Sequence, residues 1–81
     1  MIPVRVLLFA SYAEALGTSA LELELPRGAT VRELLAQVQQ RSGGDRLPPA
    51  PLVAVNEEYA PPGRELAAHD EVAIIPPVAG G

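Results

Sequence analysis

Between residues 20 and 25 apolar and acidic positions alternate strictly, with Leu21, Leu23 and Leu25 on one side and Glu22 and Glu24 on the other. A period of two is that of a pleated strand with one buried face, so this stretch predicts a half-buried strand. Residues 4–9 carry Val4, Val6, Leu7, Leu8 and Phe9 and predict an earlier strand, apolar on at least one face. After the turn signal Pro26-Arg27-Gly28 the period changes. Val31, Leu34, Leu35 and Val38 recur at helical spacing, leaving Arg32, Glu33, Gln37 and Gln40 for solvent. Thr30 followed three residues later by Glu33 forms a capping box, which starts the helix at Thr30; Ser42-Gly43-Gly44 stops it after about Arg41.

The shorter segments complete the order. Residues 10–16 favour a helical turn that ends at Gly17. Residues 43–51, with Gly43, Gly44, Pro48, Pro49 and Pro51, predict a mobile surface loop. Residues 52–55 suit a short strand, Asn56-Glu57 a turn, and residues 58–60 a brief return strand. Pro61-Pro62-Gly63 breaks the chain, residues 64–68 suit one helical turn, and residues 72–75 form a last strand that Pro76-Pro77 terminates, because proline donates nothing to a ladder. Strands interleaved with one amphipathic helix add up to a two-layer α+β domain over residues 1–75, followed by a flexible tail over 76–81.

Composition narrows what such a domain does. With 81 residues and 48% hydrophobic content the chain packs one modest core, without room for a deep enzymatic cleft. It has no cysteine, hence no disulfide, thiolate metal site or thiol nucleophile, and a cytoplasmic location is the default expectation. Arg5 interrupts the apolar N-terminus, which is too short for a signal peptide or a membrane span. The net charge is -4, and the basic residues, all Arg, are scattered, so neither nucleic acid nor membrane is an expected partner.

Side-chain chemistry is sparse. His69 lacks companions at metal-ligand spacing, so no metal site is expected; Ser11 and Ser42 form no recognisable triad; Glu57-Glu58 and Asp70-Glu71 read as solvated acid pairs. The terminus offers more. Pro76, Pro77, Val78, Ala79, Gly80 and Gly81 follow an apolar strand and taper to two residues without side chains. Such a backbone enters a slot too narrow for other residues. The α-carboxyl at Gly81, with an ordinary pKa of about 3.3–3.7, is an anion at neutral pH and needs activation, as by ATP-driven adenylation, before it can serve as an acyl donor.

These residues resemble a known family, the MoaD-type small subunits of molybdopterin synthase among the ubiquitin-like sulfur carriers. The likeness runs over nearly the whole chain. It is carried by residues 4–10 as first strand, 28–35 as helix start and 52–56 as middle strand and turn. The ending is the most specific part: Asp70-Glu71-Val72-Ala73-Ile74-Ile75-Pro76-Pro77-Val78-Ala79-Gly80-Gly81. The resemblance implies a β-grasp fold, a mixed sheet wrapped around the helix from Thr30. It also implies that an E1-like adenylating enzyme uses ATP to activate Gly81 and that a sulfur donor protein supplies the sulfur of a C-terminal thiocarboxylate. That sulfur then passes to a cyclic pterin phosphate within the large subunit of a heterotetrameric synthase, building the molybdopterin dithiolene. Catalytic side chains are then expected on the large subunit, and this chain holds no permanent cofactor, only sulfur carried covalently at Gly81.

Phe9, Ile75, Pro76, Pro77 and Val78 are expected at the large-subunit contact, with the tail adding main-chain hydrogen bonds; Phe9 is equally compatible with a place in the core. Competing readings are a carrier for thiamine thiazole synthesis, a carrier for tRNA thiolation or a protein modifier, and, from another class, a plain interaction module.

Overall fold

A computed structural model describes residues 1–77; Val78, Ala79, Gly80 and Gly81 lie outside the described residues. The elements are β1 (Ile2–Leu8), α1 (Ala10–Leu16), β2 (Ala20–Leu25), α2 (Val31–Gln39), a 3-10 turn (Gly44–Arg46), β3 (Leu52–Val55), β4 (Glu58–Tyr59) and β5 (Glu71–Ile75). The five strands form one sheet in the order β2-β1-β5-β3-β4, with β1 and β5 parallel and every other pair antiparallel. This is the β-grasp arrangement, and its two central strands carry the N-terminal end of the chain and the approach to the C-terminus.

Alternation decides which residues become core. Ile2, Val4, Val6 and Leu8 of β1, Leu23 and Leu25 of β2, Val53 and Val55 of β3, and Val72 and Ile74 of β5 are buried on one face of the sheet. Against that face lies the stripe Val31, Leu34, Leu35 and Val38 of α2, all buried. At about 25 cal/mol per Å² of apolar surface removed from water, this joint is the main stabilising term. The Thr30–Glu33 capping box is present in both directions. Gly17 ends α1 in the left-handed conformation, φ 74°.

Several expectations are corrected. β1 begins at Ile2, not at residue 4, because its pairing with β2 extends to Ile2 opposite Leu25. α2 ends at Gln39, short of Arg41, because the Arg41 N–H turns to the Val38 carbonyl at 3.1 Å and tightens the last turn. The segment 43–51 is packed rather than loose: Gly44 and Leu47 are buried, and the 3-10 turn sits against both helices. Residues 64–68 form no helical turn. Their stretch instead satisfies the open end of α2, the Pro62 carbonyl accepting from Arg32 N–H and the Arg64 carbonyl from Val31 N–H, both at 2.9 Å.

Asp70 is not a solvated acid. It is 9% exposed, and its carboxylate accepts from Asn56 Nδ2 at 2.9 Å and from Ala67 N–H at 2.8 Å. Asn56 also accepts the Glu71 N–H on its Oδ1 at 3.0 Å and donates its own N–H to the Glu71 carbonyl at 2.8 Å. The β3–β4 turn is thereby pinned to the start of β5. His69 is exposed, with φ 70°, and its N–H is held by the Pro3 carbonyl at 2.7 Å.

Candidate docking face and tail exit

Among the described residues no other element covers the face of the sheet turned away from α2, and its composition follows from strand register. Leu7 lies opposite Ala20 on one side and Ala73 on the other; Ala73 lies opposite Ala54, and Ala54 opposite Tyr59. One step nearer the tail, Ile75 lies opposite Leu52. Phe9, two residues beyond Leu7 and still extended, continues the same side. The result is an apolar surface at the end of the sheet where the chain leaves β5, with Phe9 47%, Leu52 51% and Tyr59 73% exposed.

The other end of this face is charged. Arg5 pairs across the strands with Glu22 on β2 and with Glu71 on β5, and Glu24 lies opposite Pro3. Opposite charges set directly across a ladder are mildly favourable, by about 0.2–1 kcal/mol a pair. An apolar area bordered on one side by charged residues is the anatomy of a protein-docking surface rather than of a small-molecule site. Pro76 and Pro77 leave the ladder at its apolar end, so a partner seated there meets the outgoing chain.

Ile75, expected at a partner contact, lies half-buried on the outer face, while Ile74 and Val72 point into the core. Phe9 is exposed, which removes its reading as a core residue. Pro76 is half-buried and Pro77 exposed. The expected positions Val78, Ala79, Gly80 and Gly81 lie outside the described residues. Leu52, Tyr59 and Leu7 were not anticipated. The signal for Leu52 was the alternation Leu52-Val53-Ala54-Val55, in which the β-branched residues take the core and the others the outer face.

Among the described residues two other concavities remain, and neither joins an apolar surface to the chain exit; one is lined by Pro3, Val4, Arg5, Glu22 and His69 at the charged end of the sheet. The groove between α2 and the proline segment is lined by residues such as Leu35, Ala36, Gln39, Pro49 and Pro51, with Arg32 its one ionisable group, and holds no nucleophile or acid–base pair. Among the described residues no three of His, Cys, Asp and Glu come together as a metal would require, and no helix is long and apolar enough to cross a membrane.

Comparison with known proteins adds the functional context. The model of the ThiS family matches residues 6–81. Among relatives named molybdopterin synthase sulfur carrier subunit, that of Mycobacterium tuberculosis is 40% identical over 87 residues and covers all of both chains. That of Arabidopsis thaliana is 33% identical over 81 residues, 99% of this chain and 84% of its own. A putative molybdopterin converting factor subunit 1 from Pyrococcus furiosus superposes with a TM-score of 0.85 at 31% identity, covering 96% of this chain and all of that one. Small archaeal modifier protein 1 of Haloferax volcanii gives 0.84 at 29% identity, with the same coverage. In a complex of subunits 1 and 2 of the molybdopterin-converting factor from Helicobacter pylori, the matching chain shares the fold, with a TM-score of 0.75 at 21% identity over 99% of this chain and all of that one.

Proposed function

Because this chain belongs to the ThiS family of sulfur carriers, we propose that it works as the small subunit of a molybdopterin synthase, its terminal carboxyl alternating between acid, acyl adenylate and thiocarboxylate. The observation that carries this reading is full-length similarity, up to 40% identity, to proteins that bear that one name, with the family match running through Gly81. The fold supports it physically. The apolar face lies where the chain departs toward Gly81, which suits a terminal group handed to the active site of a partner.

In this reading an adenylating enzyme attaches AMP to the Gly81 carboxyl, making the carbonyl carbon electrophilic. A sulfur donor replaces AMP, leaving a thiocarboxylate, and the large subunit then receives the tail and passes the sulfur to a cyclic pterin phosphate to form the dithiolene. Gly80 and Gly81 are the slender tip that both active sites admit, and Pro76 to Ala79 are the reach. Phe9, Leu52, Tyr59 and Ile75 supply the apolar contact with the large subunit. The whole cycle takes place in the cytoplasm.

Intact-mass spectrometry after incubation with an adenylating enzyme, ATP and a sulfur source tests this: one oxygen is exchanged for sulfur, and fragmentation assigns the exchange to Gly81. A chain that stays unchanged while a known carrier in the same mixture is converted contradicts the reading. The similarity to the Haloferax modifier protein favours a second use of the same terminus, amide transfer to other proteins; substrate proteins linked to Gly81 after activation would reveal it.

A further inference from the structure

β2 is an outer strand of the sheet, with β1 on one side and, among the described residues, no strand on the other. Register decides which of its main-chain groups face the open side. The Leu8 N–H donates to the Ser19 carbonyl at 2.9 Å, whereas the Arg5 N–H points away from β2 to the Asp70 carbonyl, also at 2.9 Å. The residues of β1 that bond β2 are therefore Ile2, Val4, Val6 and Leu8. Their opposites Leu21, Leu23 and Leu25 turn N–H and C=O inward to β1, and Ala20, Glu22 and Glu24 turn theirs outward.

Both ends of that open edge are closed. Thr18 Oγ1 donates to the Ala20 carbonyl at 2.9 Å and accepts the Ala20 N–H at 3.3 Å, so one hydroxyl occupies both outward groups of Ala20. Past Leu25 comes Pro26, which has no N–H to offer. The N–H and C=O groups of Glu22 and Glu24, both exposed residues, stay open. Charge selects what fills them. Arg5 is level with both Glu22 and Glu71, and Pro3 is level with Glu24, so the side chains here keep an excess of negative charge. Two copies of the chain joined through these groups would set Glu22 or Glu24 of one against Glu22 or Glu24 of the other, and like charges directly opposed disfavour pairing. A strand with Lys or Arg at every second position meets the reverse. Its basic side chains fall beside Glu22 and Glu24 on the face turned away from α2, and the residue between them falls on the other face, beside Leu23 and the half-buried Leu21 at the margin of the core.

We propose that the open edge of β2 is a strand-addition site for an extended segment of another protein in which Lys or Arg flank an apolar residue. The main-chain groups of Glu22 and Glu24 supply the hydrogen bonds, and their carboxylates supply the selectivity. The proposal goes beyond the carrier reading and does not depend on it: β1 separates this edge from β5 and the tail exit.

The test titrates the isotope-labelled chain with short capped peptides: one alternating Val and Lys, its counterpart with Glu in place of Lys, and one with the same Val and Lys arranged in blocks. Amide hydrogen exchange is read by NMR. The alternating Val–Lys peptide is expected to slow exchange at Glu22 and Glu24 by about tenfold, with little change at Leu21 and Leu23, and to bind about tenfold more tightly than the other two. Glu22→Lys combined with Glu24→Lys is expected to reverse the preference toward the Glu peptide. Glu24→Pro removes only an outward N–H, as edge strands tolerate, and is expected to weaken binding of the Val–Lys peptide while thermal unfolding shows the chain still folded. Four results overturn the proposal: no binding of the alternating Val–Lys peptide, equal binding of the block peptide, protection that appears away from Glu22 and Glu24, or a charge-reversed chain that still prefers Lys.

Discussion

Ile75, the last residue of β5, stands directly opposite Leu52, the first residue of β3, on the face of the sheet turned away from α2. This pair ties the apolar surface to the exit of the tail, because the next two residues are the prolines that leave the ladder. Its neighbour Ile74 points the other way and is fully buried. One step along the backbone thus separates a residue that serves folding from one available for association.

Ile75→Ala and Leu52→Ala are accordingly expected to weaken binding to the large synthase subunit by about tenfold each, the range of a moderate interface residue, with thermal unfolding little changed. Ile74→Ala is expected to cost about 2–5 kcal/mol of stability, as large-to-small core changes do. Titration calorimetry paired with thermal denaturation separates the two outcomes.

Asn56→Ala removes one of the two hydrogen bonds to the Asp70 carboxylate and the side-chain acceptor of the Glu71 N–H. Leaving a mostly buried acceptor short of a partner costs about 1–3 kcal/mol. Urea unfolding is expected to show a lower midpoint with an unchanged slope.

Glu57→Gly is expected to stabilise the domain. Asn56 and Glu57 adopt φ of 50° and 72° in the two-residue turn between β3 and β4, a conformation that Asn-Gly fits and a residue with a Cβ resists by about 1–2 kcal/mol. Part of that relief is offset by the greater chain freedom of glycine when unfolded, so a gain of about 0.5–1 kcal/mol is expected in the same urea assay.

Gly43→Ala is expected to be among the most damaging single changes. Gly43 has φ 87°, and a Cβ there would drive into the Ala15 carbonyl at the end of α1. That carbonyl is backbone and cannot swing away as a side chain would. Soluble yield and midpoint should both fall, whereas Gly63→Ala, where a Cβ meets open space, should leave them nearly unchanged.

Much of this was legible in the sequence, for reasons visible residue by residue. The alternation Leu21 to Leu25, the stripe Val31 to Val38 and the capping box Thr30–Glu33 are local patterns with one structural solution, and each appears where it was expected. Residues 64–68 were misread because their helix-favouring composition is overridden by a distant demand: their stretch supplies carbonyls to the N–H groups opening α2. Asp70 was misread because its partner Asn56 is remote along the chain and adjacent only once β3 pairs with β5. The docking face was half legible. Ile75 follows from the tail, whereas Leu52, Tyr59 and Leu7 join it only through cross-strand register, which no single segment encodes.

The account as a whole turns on the last carboxyl group. Its most direct test compares dithiolene formation by the large subunit when supplied with activated chains ending at Gly81, ending at Gly80, or extended by one alanine. The expected result is product from the native ending and a loss of at least about a hundredfold for the other two, because a group displaced by one residue misses the reacting geometry. Equal rates from all three would contradict the account.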